Sequence, residues 1–211
     1  MLPQLNHSMG NSIYLYGASG HCKVIVDIIS LNGLEVAAIL DDRPDLPPIF
    51  GHQVIAPTNI SADSNMIISI GNNATRKKLS HRHKLNYITA IHPTAILSEH
   101  VKLNAGTVVM AGAVINADTV IGEHCIVNTG AIIEHDCNIG DFVHISPGVS
   151  LAGNVTIGEG THMGIGATVI QGIRIGKWVT IGAGAVIIKD IADNCVVVGN
   201  PGRIIKNNTN E

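Results

Sequence analysis

The stretch 120-VIGEHCIVNTGAIIEHDCNIGDFVHI-145 places an aliphatic residue at every sixth position: Ile121, Val127, Ile133, Ile139 and Ile145. Stepping by six in both directions runs unbroken from Ile91 to Ile187, and all seventeen positions are aliphatic or Met. Two residues before each lies a second set, from Thr89 to Ala185, almost all small or β-branched; Cys125 and Cys137 belong to it. Self-similarity at a fixed period marks a repeat architecture. One large and one small inward residue followed by a corner describe one flat side of a triangular prism, and three such hexads close an 18-residue coil. Coils stack as parallel strands about 4.8 Å apart, and seventeen hexads make between five and six of them. The residue after the aliphatic is Gly six times (Gly122, Gly140, Gly158, Gly164, Gly176, Gly182), which reads as a corner needing glycine's backbone freedom.

From Ile91 to Ile187 this pattern is similar to the left-handed parallel β-helix of the hexapeptide-repeat proteins. The left hand comes from that resemblance, because a period alone does not fix it.

Upstream the pattern changes. The segment SIYLYGASGHCKVIVDIISLNG (12–33) predicts a buried strand over 13–16, a Gly-rich turn, and a helix with apolar positions Val24, Ile25, Ile28 and Ile29 before a stop at Asn32-Gly33. EVAAIL (35–40) predicts a second strand, ending in Asp41-Asp42. MIISI (66–70) predicts a third, ending in Gly71-Asn72-Asn73 and leading into a helix over 74–85; YITAI (87–91) predicts a fourth. Strands alternating with helices imply a small parallel sheet of nucleotide-binding type. Three domains of sequence follow: an α/β Rossmann-like part over 12–90, the β-helix over 91–190 and a C-terminal segment over 191–211.

Gly17-Ala18-Ser19-Gly20 is not G-x-G-x-x-G, and alone it is weak evidence. It gains force because three strand ends (17–21, 41–42, 71–73) gather at one sheet edge, where such folds place ligands. Backbone N–H groups at the helix start suit a diphosphate, and Asp41 or Asp42 suits ribose or sugar hydroxyls. With no second half of a dinucleotide fold, a single nucleotide fits better than NAD.

Composition narrows the classes. Of 211 residues, 14% are charged and the net charge is −3, which disfavours nucleic acid or an anionic membrane as partner. Aromatics make up 3%, so small and β-branched side chains must build the core. The opening MLPQLNHSMG carries no secretory pattern, with Met9 an alternative start, and no apolar run is long enough to cross a bilayer. A soluble, cytoplasmic chain is expected. Cys22, Cys125, Cys137 and Cys195 form no C-x-x-C pair, so neither disulfides nor zinc are expected, and the period makes Cys125 and Cys137 core filler.

Among eleven His residues, His124, His135, His144 and His162 lie in the repeat, the scaffold on which gamma-class carbonic anhydrases bind zinc. They share no phase, so no metal is expected, and His124 and His162 read as exposed coil-face residues. His135 stands beside Asp136, off the inward register. Either the pair is a solvated corner, or Asp136 fixes the tautomer of His135 and makes it a better general base.

The segments YGASGHCKVIVDII, LDD, IGNNATRKKL, EHDCNIGDFVHISPGVSLAGNVTIG and VVVGNPGRII together resemble the nucleotide-sugar N-acetyltransferases of the bacillosamine and perosamine pathways, close to the sialic acid O-acetyltransferase-like proteins. Gly202 departs from the family's more usual Ala. The resemblance implies that His135 is the general base and that Asp136 raises its basicity. Ser19, Gly20, His21, Asp41, Asp42 and Gly71 would hold the nucleotide-sugar. Acetyl-CoA would lie between two β-helices of a homotrimer near His144, Gly153, Ile165 and Ala183, with Pro201 and Arg203 close to its phosphates. The implied reaction is direct acetyl transfer to the 4-amino group of a nucleotide-linked 4-amino-4,6-dideoxy sugar, UDP-linked in preference to GDP-linked, with a backbone N–H or His144 steadying the oxyanion. The alternatives are a sugar or sialic acid O-acetyltransferase and a non-catalytic nucleotide-sugar-binding scaffold.

Overall fold

The computed structural model describes residues 12–58, 60–61, 63–83 and 85–207. Met9 and Lys84, the latter inside the predicted second helix, lie outside them. The α/β part contains β1 (Ser12–Tyr16), α1 (Gly20–Leu31), β2 (Glu35–Leu40), β3 (Val54–Ile55), β4 (Asn65–Ile68), α2 (Asn73–Arg82) and β5 (Asn86–Tyr87). Its strands pair in parallel in the order β3-β2-β1-β4-β5. The short edge strand β3 has no counterpart in the sequence reading. The segment 87–91, read as one strand, is split: Tyr87 ends the α/β sheet, and Ala90–Ile91 begins the prism.

Seventeen two-residue strands follow, β6 (Ala90–Ile91) through β22 (Val186–Ile187), each pairing with the third strand along. Seventeen strands over three faces give the between five and six coils that the period implies. Starting from β6 we call the faces one, two and three in chain order. β23 (Cys195–Val198) extends face one, and β24 (Arg203–Asn207) closes it antiparallel. The inward ladder from Val109 to Val197 is one buried cluster that includes Cys125 and Cys137. Burial pushes the Cys125 thiol up to about 12 and raises that of Cys137, as core filler requires.

The corner glycines work differently from the sequence reading. Gly122, Gly140, Gly158, Gly164, Gly176 and Gly182 are not among the residues with positive φ. They lack a Cβ because the next coil leaves no room for one: at Gly158 it would stand 2.6 Å from the Gly176 carbonyl carbon and the Lys177 nitrogen. The left-handed turn falls two residues later, unbroken from Gly106 to Gly184 at steps of six, and six of those residues (Asp118, His124, Asp136, Phe142, Asn154, Trp178) are not glycine. Asp and Asn tolerate that conformation best among residues with a side chain.

The α/β part sits on face one. Helix α1 buries Cys22, Ile25, Val26, Ile28 and Ile29, while Val24, read as apolar-face, is exposed. That face forms one cluster with β1 and β2 and with Ala90, Val108, Met110 and Ile126 of face one. Helix α2 lies on the sheet's other side through Leu79 and reaches the corner between faces three and one. No helix among the described residues is long and apolar enough to cross a membrane.

Candidate active site

The strand order places β1 between β2 and β4, whose connections leave in opposite directions, so a crevice opens at the carboxyl ends of β1 and β4. One wall is the turn from Gly17 into α1, the other the 69–73 loop. Gly17 has φ +116, and a Cβ there would strike Ile70. Ser69 Oγ donates to the Gly17 carbonyl at 2.7 Å and its N–H to the Tyr16 carbonyl at 2.8 Å, fixing the walls together. Ser19 is the N-cap of α1 but its side chain makes no capping bond, so its hydroxyl and the first helical N–H groups stay available at an exposed helix start.

The two aspartates divide their work. Asp41 accepts from the Ala18 N–H at 2.9 Å and the Arg43 N–H at 3.0 Å, which makes it a brace for the glycine turn. Asp42 is exposed, accepts from the Tyr16 hydroxyl at 2.8 Å and lies 3.4 Å from Arg82. His21 is mostly buried; burial, with Arg76 adding to it, pulls its pKa down to about 4 and keeps it neutral, and its Nε2 has no hydrogen-bond partner.

His144, expected at the coenzyme, stands on face one beside this crevice. Burial first, then His162, Arg76 and His21, pull its pKa down to about 3, while the Gly71 carbonyl works the other way. Asn128 Nδ2 lies 3.1 Å from its Nε2, and the Asn128 oxygen is occupied by the Thr129 N–H, so Nε2 accepts and the buried Nδ1 carries a proton without a partner. Gly71, His21 and His144 thus converge. Neither His124 nor His162 is an exposed coil-face residue. His162 is half-buried, lies 3.1 Å from Ser146 Oγ and has its pKa lowered by burial. His124 is 3% exposed, stacked on Phe142 and edge-on to Tyr87 beneath the α/β part.

His135 and Asp136 occupy the corner between faces two and three, the prism edge opposite face one and hence away from this chain's own crevice. Asp136 has φ +61, the left-handed position, which turns its carboxylate back toward the preceding residue. His135 Nδ1 lies 2.7 Å from Asp136 Oδ2. The carboxylate only accepts, so the proton sits on Nδ1 and Nε2 presents a lone pair. That hydrogen bond raises the His135 pKa. Gly153, one coil on, forms the floor: a Cβ there would stand 2.6 Å from His135 Cε1. Gly153 therefore lies at the His135–Asp136 corner, whereas Ile165 and Ala183 lie on consecutive coils at the corner between faces one and two, with Ile165 exposed. The four residues expected at the coenzyme occupy three places on one chain. Arg203 is exposed and donates to the Gly202 carbonyl at 3.0 Å. Among the described residues, no three His, Cys, Asp or Glu are gathered closely enough to hold a metal.

Comparison with known proteins bears on both parts. Residues 12–83 match the PglD N-terminal domain family. The curated UDP-N-acetylbacillosamine N-acetyltransferase of Bacillus subtilis (strain 168) is 41% identical over 102 residues, a stretch covering 42% of this chain and 46% of that relative. Perosamine N-acetyltransferase of Caulobacter crescentus, solved as a histidine-to-asparagine mutant with CoA and GDP-perosamine, superposes with TM-score 0.88 at 36% identity, covering 93% of this chain and 97% of that one. The acetyltransferase domain of PglB from Neisseria gonorrhoeae FA1090 in complex with acetyl coenzyme A gives TM-score 0.87 at 35% identity, covering 93% of this chain and 100% of that one. With both halves of the fold matched at that identity over nearly their whole length, the chain belongs to the nucleotide-sugar N-acetyltransferases of the hexapeptide-repeat acyltransferase superfamily.

Proposed function

We propose that the protein transfers the acetyl group of acetyl-CoA to the 4-amino group of a nucleotide-linked 4-amino-4,6-dideoxy sugar, with His135 as general base. The observation that carries this reading is the His135 ring, tied through Nδ1 to Asp136, resting on Gly153 and presenting an unprotonated Nε2. The amine attacks the thioester carbonyl, the new C–N bond forms, the C–S bond breaks to release CoA, and His135 Nε2 takes the ammonium proton. The nucleotide-sugar occupies the crevice at the ends of β1 and β4, its diphosphate at Ser19, Gly20 and His21 and its hydroxyls at Asp42, with Asp41 bracing the turn.

In one chain the His135 corner and the crevice lie on opposite sides of the prism, so the reaction needs two copies. Face two supports that reading: Ile96, Val114 and Ile132 stand side by side on neighbouring strands and point outward, and Ile96 and Ile132 are 66% and 40% exposed. A homotrimer closed through that ladder would bring the Gly153 corner of one copy to the Ile165 and Ala183 corner of the next. There they would line one cleft for acetyl-CoA. The relatives divide on the nucleotide, one named for a UDP-sugar and another solved with a GDP-sugar.

His135→Ala tests the reading directly. Turnover should fall by about 10²–10⁴-fold while acetyl-CoA still binds; near-normal turnover would remove His135 from the mechanism. A panel of UDP- and GDP-linked amino sugars, with sialic acids as hydroxyl acceptors, separates N- from O-acetylation and identifies the nucleotide.

A further inference from the structure

Helix α2 carries only one large buried apolar residue, Leu79, yet two polar residues of its first turn are buried against the prism. Asn73 and Arg76, three apart and so on one helix face, lie inside that contact, Arg76 at 1% exposure. Burial pulls the Arg76 pKa down to about 10, which leaves it a cation near neutral pH. Its partners are carbonyls and one amide oxygen. Nε donates to the His124 carbonyl at 2.7 Å, and Nη2 to the Phe142 carbonyl at 2.9 Å and to Asn73 Oδ1 at 3.0 Å. Asn73 Nδ2 continues the series to the Gly160 carbonyl at 3.0 Å.

Those three prism carbonyls belong to the left-handed residues of three successive coils, with φ of 52, 58 and 69. One helix face therefore grips three rungs of the ladder. The other branch of the guanidinium, Nη1, donates back to the Ile70 carbonyl at 2.9 Å and the Gly71 carbonyl at 3.2 Å, in the wall of the nucleotide crevice. A buried guanidinium is costly, and apolar side chains could hold a helix to a prism without it. What the fork supplies is a fixed distance and angle between the groups it joins.

We propose that Arg76, together with Asn73, is a positioning clamp for the acetyl acceptor: it locks the Gly71 wall of the crevice to three coils of the prism and so sets where the acceptor's amine stands. This rests on the acceptor site proposed above. Arg76→Lys keeps the charge and loses the fork; Asn73→Ala releases one coil. In the full-length chain, kcat/KM for the amino-sugar nucleotide should fall roughly 10²-fold in Arg76→Lys, and less in Asn73→Ala, as expected for a reacting group displaced by about 1 Å. The acetyl-CoA dissociation constant should stay unchanged, with Trp178 fluorescence and the melting curve reporting a folded prism. Unchanged kcat/KM in a folded variant overturns the clamp. So does acetyl-CoA affinity that falls in step with kcat/KM, which would signal a loosened prism. If Arg76→Lys does not fold, Asn73→Ala gives the same two readings. Wild-type protein that binds acetyl-CoA but acetylates no amino-sugar nucleotide defeats the acceptor site itself and takes the clamp with it.

Discussion

His135 and His124 stand at different corners of one prism, and their surroundings give the rings opposite chemistry. At the corner between faces two and three, His135 is 62% exposed in its side chain, hydrogen-bonded to Asp136, and held above its ordinary pKa. At the corner between faces three and one, His124 is buried under α2 and β5, stacked on Phe142, and pulled down to about 4 by burial, with Arg76 the next contribution. The backbone is nearly the same at both places: His124 holds the left-handed position itself, and His135 stands one residue before Asp136, which holds it. What differs is what covers the corner. The repeat builds similar platforms, and the α/β part turns one into an anchor while leaving the other open to solvent.

The floor beneath His135 offers the strongest challenge to that contrast. Gly153→Ala would push a methyl group against the imidazole, and because the ring is exposed it can swing away at little cost in stability. Turnover should fall by roughly 10²-fold with the melting temperature nearly unchanged, since a base displaced by about 1 Å no longer meets its proton. Steady-state kinetics beside a thermal melt check both halves. Full activity in this variant would mean that His135 needs no fixed seat.

The open corner was legible in the sequence and the covered one was not, for a physical reason. The hexad period assigns every inward residue from Ile91 to Ile187 because each coil packs on the next by a rule local in sequence. His135 and Asp136 are adjacent, so their pairing is visible without a fold. The burial of His124 depends on α2 and Tyr87, 37 or more residues away in sequence, and no periodicity within the prism records it. The period is equally silent on which side of the triangle a residue occupies: Gly153 and Ile165 share a hexad phase, each second after an inward aliphatic, yet stand at different corners. The corner glycines misled for the opposite reason: a glycine signals either a positive φ or a missing Cβ, and only stacked coordinates separate the two.

His124 gives the next test. Its folded pKa of about 4 lies below the ordinary value of 6.5, so the unfolded chain binds a proton first as pH falls. Stability is therefore full above about 6.5 and declines toward about 4, by on the order of 2–3 kcal/mol for a group shifted this far. His124→Asn keeps a residue that accepts the left-handed corner, φ +52, and removes the titration. Melting temperature against pH should flatten over that window in the variant, leaving the slope due to the other histidines lowered by burial, His21, His83, His144 and His162. An unaltered slope would show that His124 is not buried neutral.

Asp136→Asn has the smallest expected effect and separates orientation from basicity at the open corner. Asn is at home at φ +61, so the coil should fold as before. The hydrogen bond to Asp136 is the largest cause raising the His135 pKa, and the carboxylate's charge adds to it. Replacing the carboxylate lowers that pKa, so the acid limb of kcat/KM against pH, which reports loss of the unprotonated base, should move to lower pH. Turnover on the plateau should drop by about tenfold, because a weaker base transfers the proton less readily and Nδ1 is less firmly held in its tautomer. An acid limb that stays in place while turnover falls would make Asp136 an orienting group alone. A limb that shifts with full turnover would make it purely electrostatic. Either result would show which of the two actions of the carboxylate distinguishes His135 from the buried ring at the neighbouring corner.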